Sequence, residues 1–151
     1  AKEEAAGNKD NRMIIDASDL IAGRLATVVT KKALLGEQID IVNSEKAVIT
    51  GTRDSIYARF KAKYDRGIPL KGPYVPRSAD RLLRRIIRGM LPYKQARGSE
   101  ALARVMCWRG VTEKFQNQKL ETVSEAKIDK LPNLQFVTVG DIAKHLGGKS
   151  E

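Results

Sequence analysis

The chain has 151 residues, with 28 Lys/Arg against 18 Asp/Glu, a net charge of +10 and a pI near 9.9. Its hydrophobic content of 42% suits one globular domain that can bury a core without staples, while the lone Cys107 and lone His145 exclude an intrachain disulfide and a Cys/His zinc site. No stretch approaches the ~20 apolar residues of a membrane span, and the first residues lack the basic-then-apolar layout of a signal peptide, so a cytosolic chain without a membrane partner is expected.

A loose polar tail is expected over residues 1–12, followed by a single domain over 13–151. Met13 to Ala17 reads as a strand, and Leu20 to Leu35 has helical spacing that closes on Gly36. Gln38 to Asn43 and Ala47 to Thr50 read as further strands. Thr52 is a candidate N-cap for a helix carrying Ile56, Tyr57, Phe60 and Tyr64 at helical spacing, a stripe that should face the sheet. Residues 65–77 hold three prolines and two glycines, which predicts a long basic loop. A helix capped by Ser78 follows, over 78–91. After the basic connection Tyr93 to Gly98, the pattern gives a short helix near Ser99 to Arg104 and a strand around Val105 to Trp108. Thr112 to Pro132 is polar and irregular, then Leu134 to Thr138 reads as a strand and Gly140 to Leu146 as a short helix. Strands alternating with helices predict an α/β fold with a parallel sheet.

The charge is regional. Sixteen Lys/Arg and five Asp/Glu lie between Arg53 and Lys114, so this stretch carries +11 and the rest of the chain −1. In the helix over 78–91, Arg81 and Arg85 are four apart, as are Arg84 and Arg88, and Asp80 in the first turn is the only acid. Like charges at that spacing repel unless phosphates lie nearby. Arginine also presents a planar fork that grips phosphate with two bonds. In the preceding helix Arg59, Lys63 and Arg66 fall at i, i+4 and i+7, away from the aromatic stripe. Tyr74 in the loop and Tyr93 after the helix sit outside regular elements and are the better candidates for base stacking. Arg24, at the start of the first helix, suits either a phosphate or a salt bridge.

Catalytic patterns fail. Between the first strand and helix stands only Gly23, where a dinucleotide fingerprint needs three glycines. Gly148-Lys149-Ser150 ends like a P-loop, but Ala143 occupies the place of its first glycine. His145 has no acid or nucleophile placed beside it, the Glu3-Glu4 pair lies in the tail, and Cys107 among Val105, Met106 and Trp108 reads as buried packing. No cofactor and no small-molecule substrate are expected. An α/β enzyme acting on nucleotides or RNA is the alternative reading, and an adaptor for an acidic protein a third.

Ile87-Arg88-Gly89-Met90-Leu91-Pro92, followed by a basic stretch and Gly98, resembles the signature of the universal L-thirteen family of large-subunit ribosomal proteins. Ile15-Asp16-Ala17 with Ile21-Ala22-Gly23-Arg24-Leu25-Ala26 is similar to the family's opening, and Val42 to Gly51 to its next block. Phe136-Val137-Thr138-Val139-Gly140 resembles the end seen in the archaeal and eukaryotic branch, while Thr112 departs from the proline common in relatives. The resemblance spans roughly Met13 to Gly147. It implies a three-layer α/β/α fold around a mainly parallel sheet of about four strands. It further implies a non-catalytic role in the large subunit, bound to large-subunit ribosomal RNA beside neighbouring ribosomal proteins, and a part in subunit assembly. Carried onto matching positions, the RNA contacts would centre on Arg81, Arg84, Arg85, Arg88, Lys94 and Arg97. Arg24, Arg53 and the basic loop with Arg66, Lys71 and Arg77 would assist. The loop should become ordered only when phosphates arrive.

Overall fold

The computed structural model of the chain describes residues 12–148. Most of the expected tail, the Glu3-Glu4 pair and the Lys149-Ser150 ending lie outside the described residues. Arg12, assigned to the tail from the sequence, opens strand β1 (Arg12–Asp16). Helix α1 (Ala22–Leu34) leads to β2 (Gln38–Val42), which pairs parallel with β1 from Arg12↔Gln38 to Asp16↔Val42. Gly36, at φ 100°, ends α1 as expected. Its N–H bonds Ala33 O and the N–H of Glu37 bonds Lys32 O, the two reversed bonds of a Schellman ending that a left-handed glycine permits. Strand β4 (Val105–Cys107) adds in parallel to β2, giving the order β1-β2-β4.

The strand at 47–50 leaves this sheet. Asn43 adopts a left-handed conformation at φ 54°, a 3-10 turn over Ser44–Lys46 redirects the chain, and β3 (Val48–Thr50) pairs antiparallel with β5 (Phe136–Thr138) instead. The parallel sheet therefore has three strands, with a separate two-stranded ladder beside it. Helix α5 (Val139–His145) follows β5; its cap Thr138 accepts the N–H of Asp141 at 3.2 Å.

Helices α2 (Arg53–Asp65), α3 (Ala79–Met90) and α4 (Ala96–Ala103) lie between β3 and β4. Helix α2 packs on α5 and β5 and so covers the ladder, where the sequence pattern placed it against the parallel sheet. Helix α4 starts three residues before its expected start at Ser99, because Gln95 is extended and serves as its cap. Buried Gly98 then meets the Pro92 backbone: a Cβ there would sit 2.0 Å from Pro92 O.

Alternation along β1 and β2 sends residues to two faces. Ile15, Ile39 and Ile41 join the main core with Leu25, Val29, Leu83 and Ile87 from α1 and α3. Ile14 and Val42 form a smaller cluster with Phe115, under Trp108 and Leu120. One face is thus covered by helices and the other by the irregular 108–121 segment with its 3-10 turn at Glu113–Phe115. Cys107 is buried as expected, and burial pushes its thiol up to about 12.

Candidate nucleic-acid interface

Two opposed effects decide whether α3 forms. Leu82, Leu83 and Ile87 are buried, each contributing about 1.5–3 kcal/mol, whereas each like-charge i, i+4 pair costs about 0.2–0.5 kcal/mol. Burial wins. The helix starts after Ser78, whose hydroxyl donates to the Asp80 carboxylate rather than bonding a backbone N–H, and stops at Met90 because Pro92 holds Leu91 extended at φ −99°, ψ 148°.

The four arginines of α3 have unequal roles. Arg84 is half-buried: its Nε donates to Val105 O at 3.2 Å and its Nη2 to Leu102 O at 3.1 Å. Those carbonyls lie at the end of α4 and the start of β4, so Arg84 ties three elements together at the negative end of the α4 dipole. Arg88 lies 4.7 Å from the Tyr93 ring centroid, and its Nε is buried with no hydrogen-bond partner among the described residues. Arg85 is exposed and reaches the Tyr74 carbonyl at 3.5 Å. Arg81 is exposed and makes neither a hydrogen bond nor an ion pair among the described residues. Together with Tyr74, Val75 and Pro76 of the loop, the four line a trough of about 570 Å³.

The loop over 66–78 has hydrogen bonds of its own, although phosphates were expected to order it. Ile68 and Gly72 exchange N–H···O bonds of 3.2 and 2.8 Å, and the Tyr74 hydroxyl donates to Pro69 O at 2.9 Å. Lys71 stands exposed at the tip between them. Arg77, near its end, covers the Tyr64 ring at 4.5 Å.

Helix α2 and its C-cap Arg66 supply the next cations. Arg59, Lys63 and Arg66 are exposed, but they do not occupy a face opposite the aromatics: Arg59 and Lys63 lie 5.5 and 5.6 Å from the ring centroid of Phe60. With Arg85 they line a second, larger depression along the adjacent stripe of α3. Arg53 lies 5.2 Å over Tyr57, which stacks on His145 at 4.2 Å. Lys94 and Arg97 are exposed past the end of α3, with Arg97 Nε donating to Gln95 Oε1 at 3.3 Å, and line neither depression. Arg24 is exposed at the start of α1 and also stands outside both. Tyr93, with Arg88 over its ring, is 41% exposed, while Tyr74 is 68% exposed.

None of the thirteen cations singled out from the sequence forms a salt bridge among the described residues. A surface of cations that no carboxylate pairs among the described residues, held by packed helices and a proline-walled loop, is suited to phosphates. Sequence reasoning overlooked the wall residues Val75 and Pro76 and the two glycines, Gly23 and Gly89, that open the larger depression. Both glycines stand alone within helical patterns and fall in the segments that carry the family resemblance, but neither signal marks them as lining a groove.

The family described as Ribosomal protein L13 matches residues 10–114. The large ribosomal subunit protein uL13 of Archaeoglobus fulgidus is 42% identical over 139 residues, covering 91% of this chain and 89% of that protein. The proteins of the same name from Methanococcoides burtonii and Thermoplasma acidophilum are 41% and 44% identical, each with 98% of its own length matched and 90% and 89% of this chain. The family match from strand β1 through the arginine helix, together with archaeal relatives that cover about nine-tenths of the chain, means that this chain belongs to the ribosomal protein L13 family.

Proposed function

We propose that this chain is a structural, non-catalytic constituent of the large ribosomal subunit in the cytoplasm. It binds large-subunit ribosomal RNA through α3, the basic loop and α2, sits beside other ribosomal proteins, and supports subunit assembly. The observation that carries this reading is the convergence of Arg81, Arg85 and Arg88 with the loop on one surface where no carboxylate pairs with them. Phosphates entering the trough would be neutralised by guanidinium forks, letting RNA segments that otherwise repel pack together. A helix cannot enter the deep, narrow groove of A-form RNA, so recognition is of backbone and shape.

Among the four, Arg81 and Arg85 are the RNA ligands to test, because Arg84 is engaged by backbone carbonyls. Cosedimentation with large subunits through a high-salt wash tests the location. For the ligands, the double replacement Arg81→Gln/Arg85→Gln should shallow the dependence of log affinity for large-subunit RNA on log salt by about 0.7–0.9 per lost contact. An unchanged slope would remove both residues from the interface.

A further inference from the structure

Beside the arginine trough lies a groove of about 700 Å³, within the size range that takes a small organic ligand. Ile21 just before α1, Ile49 of β3, Phe60 of α2 and Leu82 and Ile86 of α3 give it apolar lining, and Pro73, Val75 and Pro76 of the loop form a wall. Its charged lining residues are Arg59, Lys63, Arg66 and Arg85, with no acid among them.

Two glycines open onto this groove. Gly23 is in the first turn of α1 and Gly89 in the last turn of α3, where glycine is less favourable than alanine. Neither has a positive φ, so the backbone does not require them. A Cβ on either would meet no atom within 4 Å, so helix packing does not require them either. What the two share is the groove, which a side chain at either position would narrow.

We propose that this groove takes an unstacked base of single-stranded RNA, while Arg59, Lys63, Arg66 and Arg85 hold the flanking phosphates. The proposal rests on the RNA-binding reading above and assigns it a second contact mode, in which a base enters the protein. An apolar slot with a purely cationic margin matches a nucleotide, which has a flat, largely apolar face and an anionic backbone. It disfavours a basic or neutral peptide, which would leave four cations uncompensated. Proline rings, aliphatic side chains and guanidinium planes accept any base face, so the slot is tolerant of base identity. Thr50 at its edge offers the one hydroxyl among its lining residues.

The test compares the full chain binding a single-stranded RNA of about 12 nucleotides with binding of an abasic ribose-phosphate of equal length and charge. RNA should bind at least about fivefold tighter, the lower end of what base stacking provides. Gly89→Leu should bring the two ligands to equal affinity without lowering the melting temperature, and Gly23→Val should do the same from the other wall. Equal affinity of the wild type for both ligands, each falling with salt, would overturn the base slot and leave the phosphate-binding reading intact. Loss of salt-dependent binding to both would overturn that reading and the slot with it. Capture of an apolar peptide that Gly89→Leu abolishes, with RNA affinity unmoved, would make the groove a protein dock and overturn the proposal.

Discussion

The half of the molecule built on the parallel sheet and the half built on α2, the loop and α3 treat charge in opposite ways. On the sheet, buried Asp40 accepts Trp108 Nε1 at 3.0 Å and pairs with Arg12 Nε at 3.2 Å, and Asp16 takes bonds from Ser18 and Asn43. These two carboxylates are satisfied by the chain itself. Across α2 and α3 the singled-out cations contact ring faces and a few carbonyls, and none of them forms a salt bridge among the described residues, although Asp54, Asp65 and Asp80 lie on the same helices. The contrast separates residues the fold consumes from residues it leaves for a partner, and composition alone cannot draw that line, since Arg84 and Arg81 look alike in sequence.

The largest expected effect tests how rigidly the basic half is held. Gly98→Ala would drive a Cβ into the Pro92 carbonyl at 2.0 Å, and the obstacle is backbone rather than a movable side chain. We expect a loss of about 3 kcal/mol in urea unfolding, at the upper end of ordinary overpacking. A loss below about 1 kcal/mol would mean that α4 is free to slide on Pro92 and that the arginine surface is not preorganised.

Next, Arg84→Gln and Arg81→Gln should separate the two roles. Arg84→Gln removes bonds to Leu102 O and Val105 O and should cost about 1–2 kcal/mol of stability, discounted because the side chain is only half-buried. Arg81→Gln should leave stability within about 0.5 kcal/mol while shallowing the salt dependence of RNA binding. Paired urea and salt titrations on both variants would show it; the reverse pattern would erase the distinction.

The order of elements was legible because period and punctuation agree: Gly36 ends α1, and Pro92, two residues past Met90, ends α3. The departure of β3 from the parallel sheet was not legible, since it turns on the left-handed Asn43 and a 3-10 turn that leave no periodic mark. Similarly, the basic surface could be located from uncompensated arginines, but the assignment of Arg84 to the fold depends on carbonyls 18 and 21 residues away in sequence. Contacts at such separations are set by how α4 docks, which helical spacing does not encode.

A smaller effect concerns pH on the sheet side. Burial alone would raise the Asp16 carboxyl, but bonds from Asn43 and Ser18 and the charge of Lys46 outweigh it and hold the group below its ordinary value of 3.8. A depressed folded value stabilises the protein above the unfolded value, and that stability is lost as pH falls through the folded one. Asp16→Asn should therefore be less stable than wild type at neutral pH, with the gap closing below about pH 4. A gap that persists into stronger acid would place its origin in geometry rather than charge.

The smallest effect is the most informative about the loop. Tyr74→Phe removes one exposed bond, to Pro69 O, and should change global stability by less than about 0.5 kcal/mol. Local opening is a different quantity from global unfolding, and a turn closed by the Ile68 and Gly72 pair has little else to hold its tip. Trypsin should cut wild type slowly after Lys71 and the variant several-fold faster, with RNA slowing both. If both are cut at the same rapid rate without RNA, the hydrogen bonds of the loop do not hold it alone. Order would then arrive with phosphates, and the basic half would be a surface that its ligand completes.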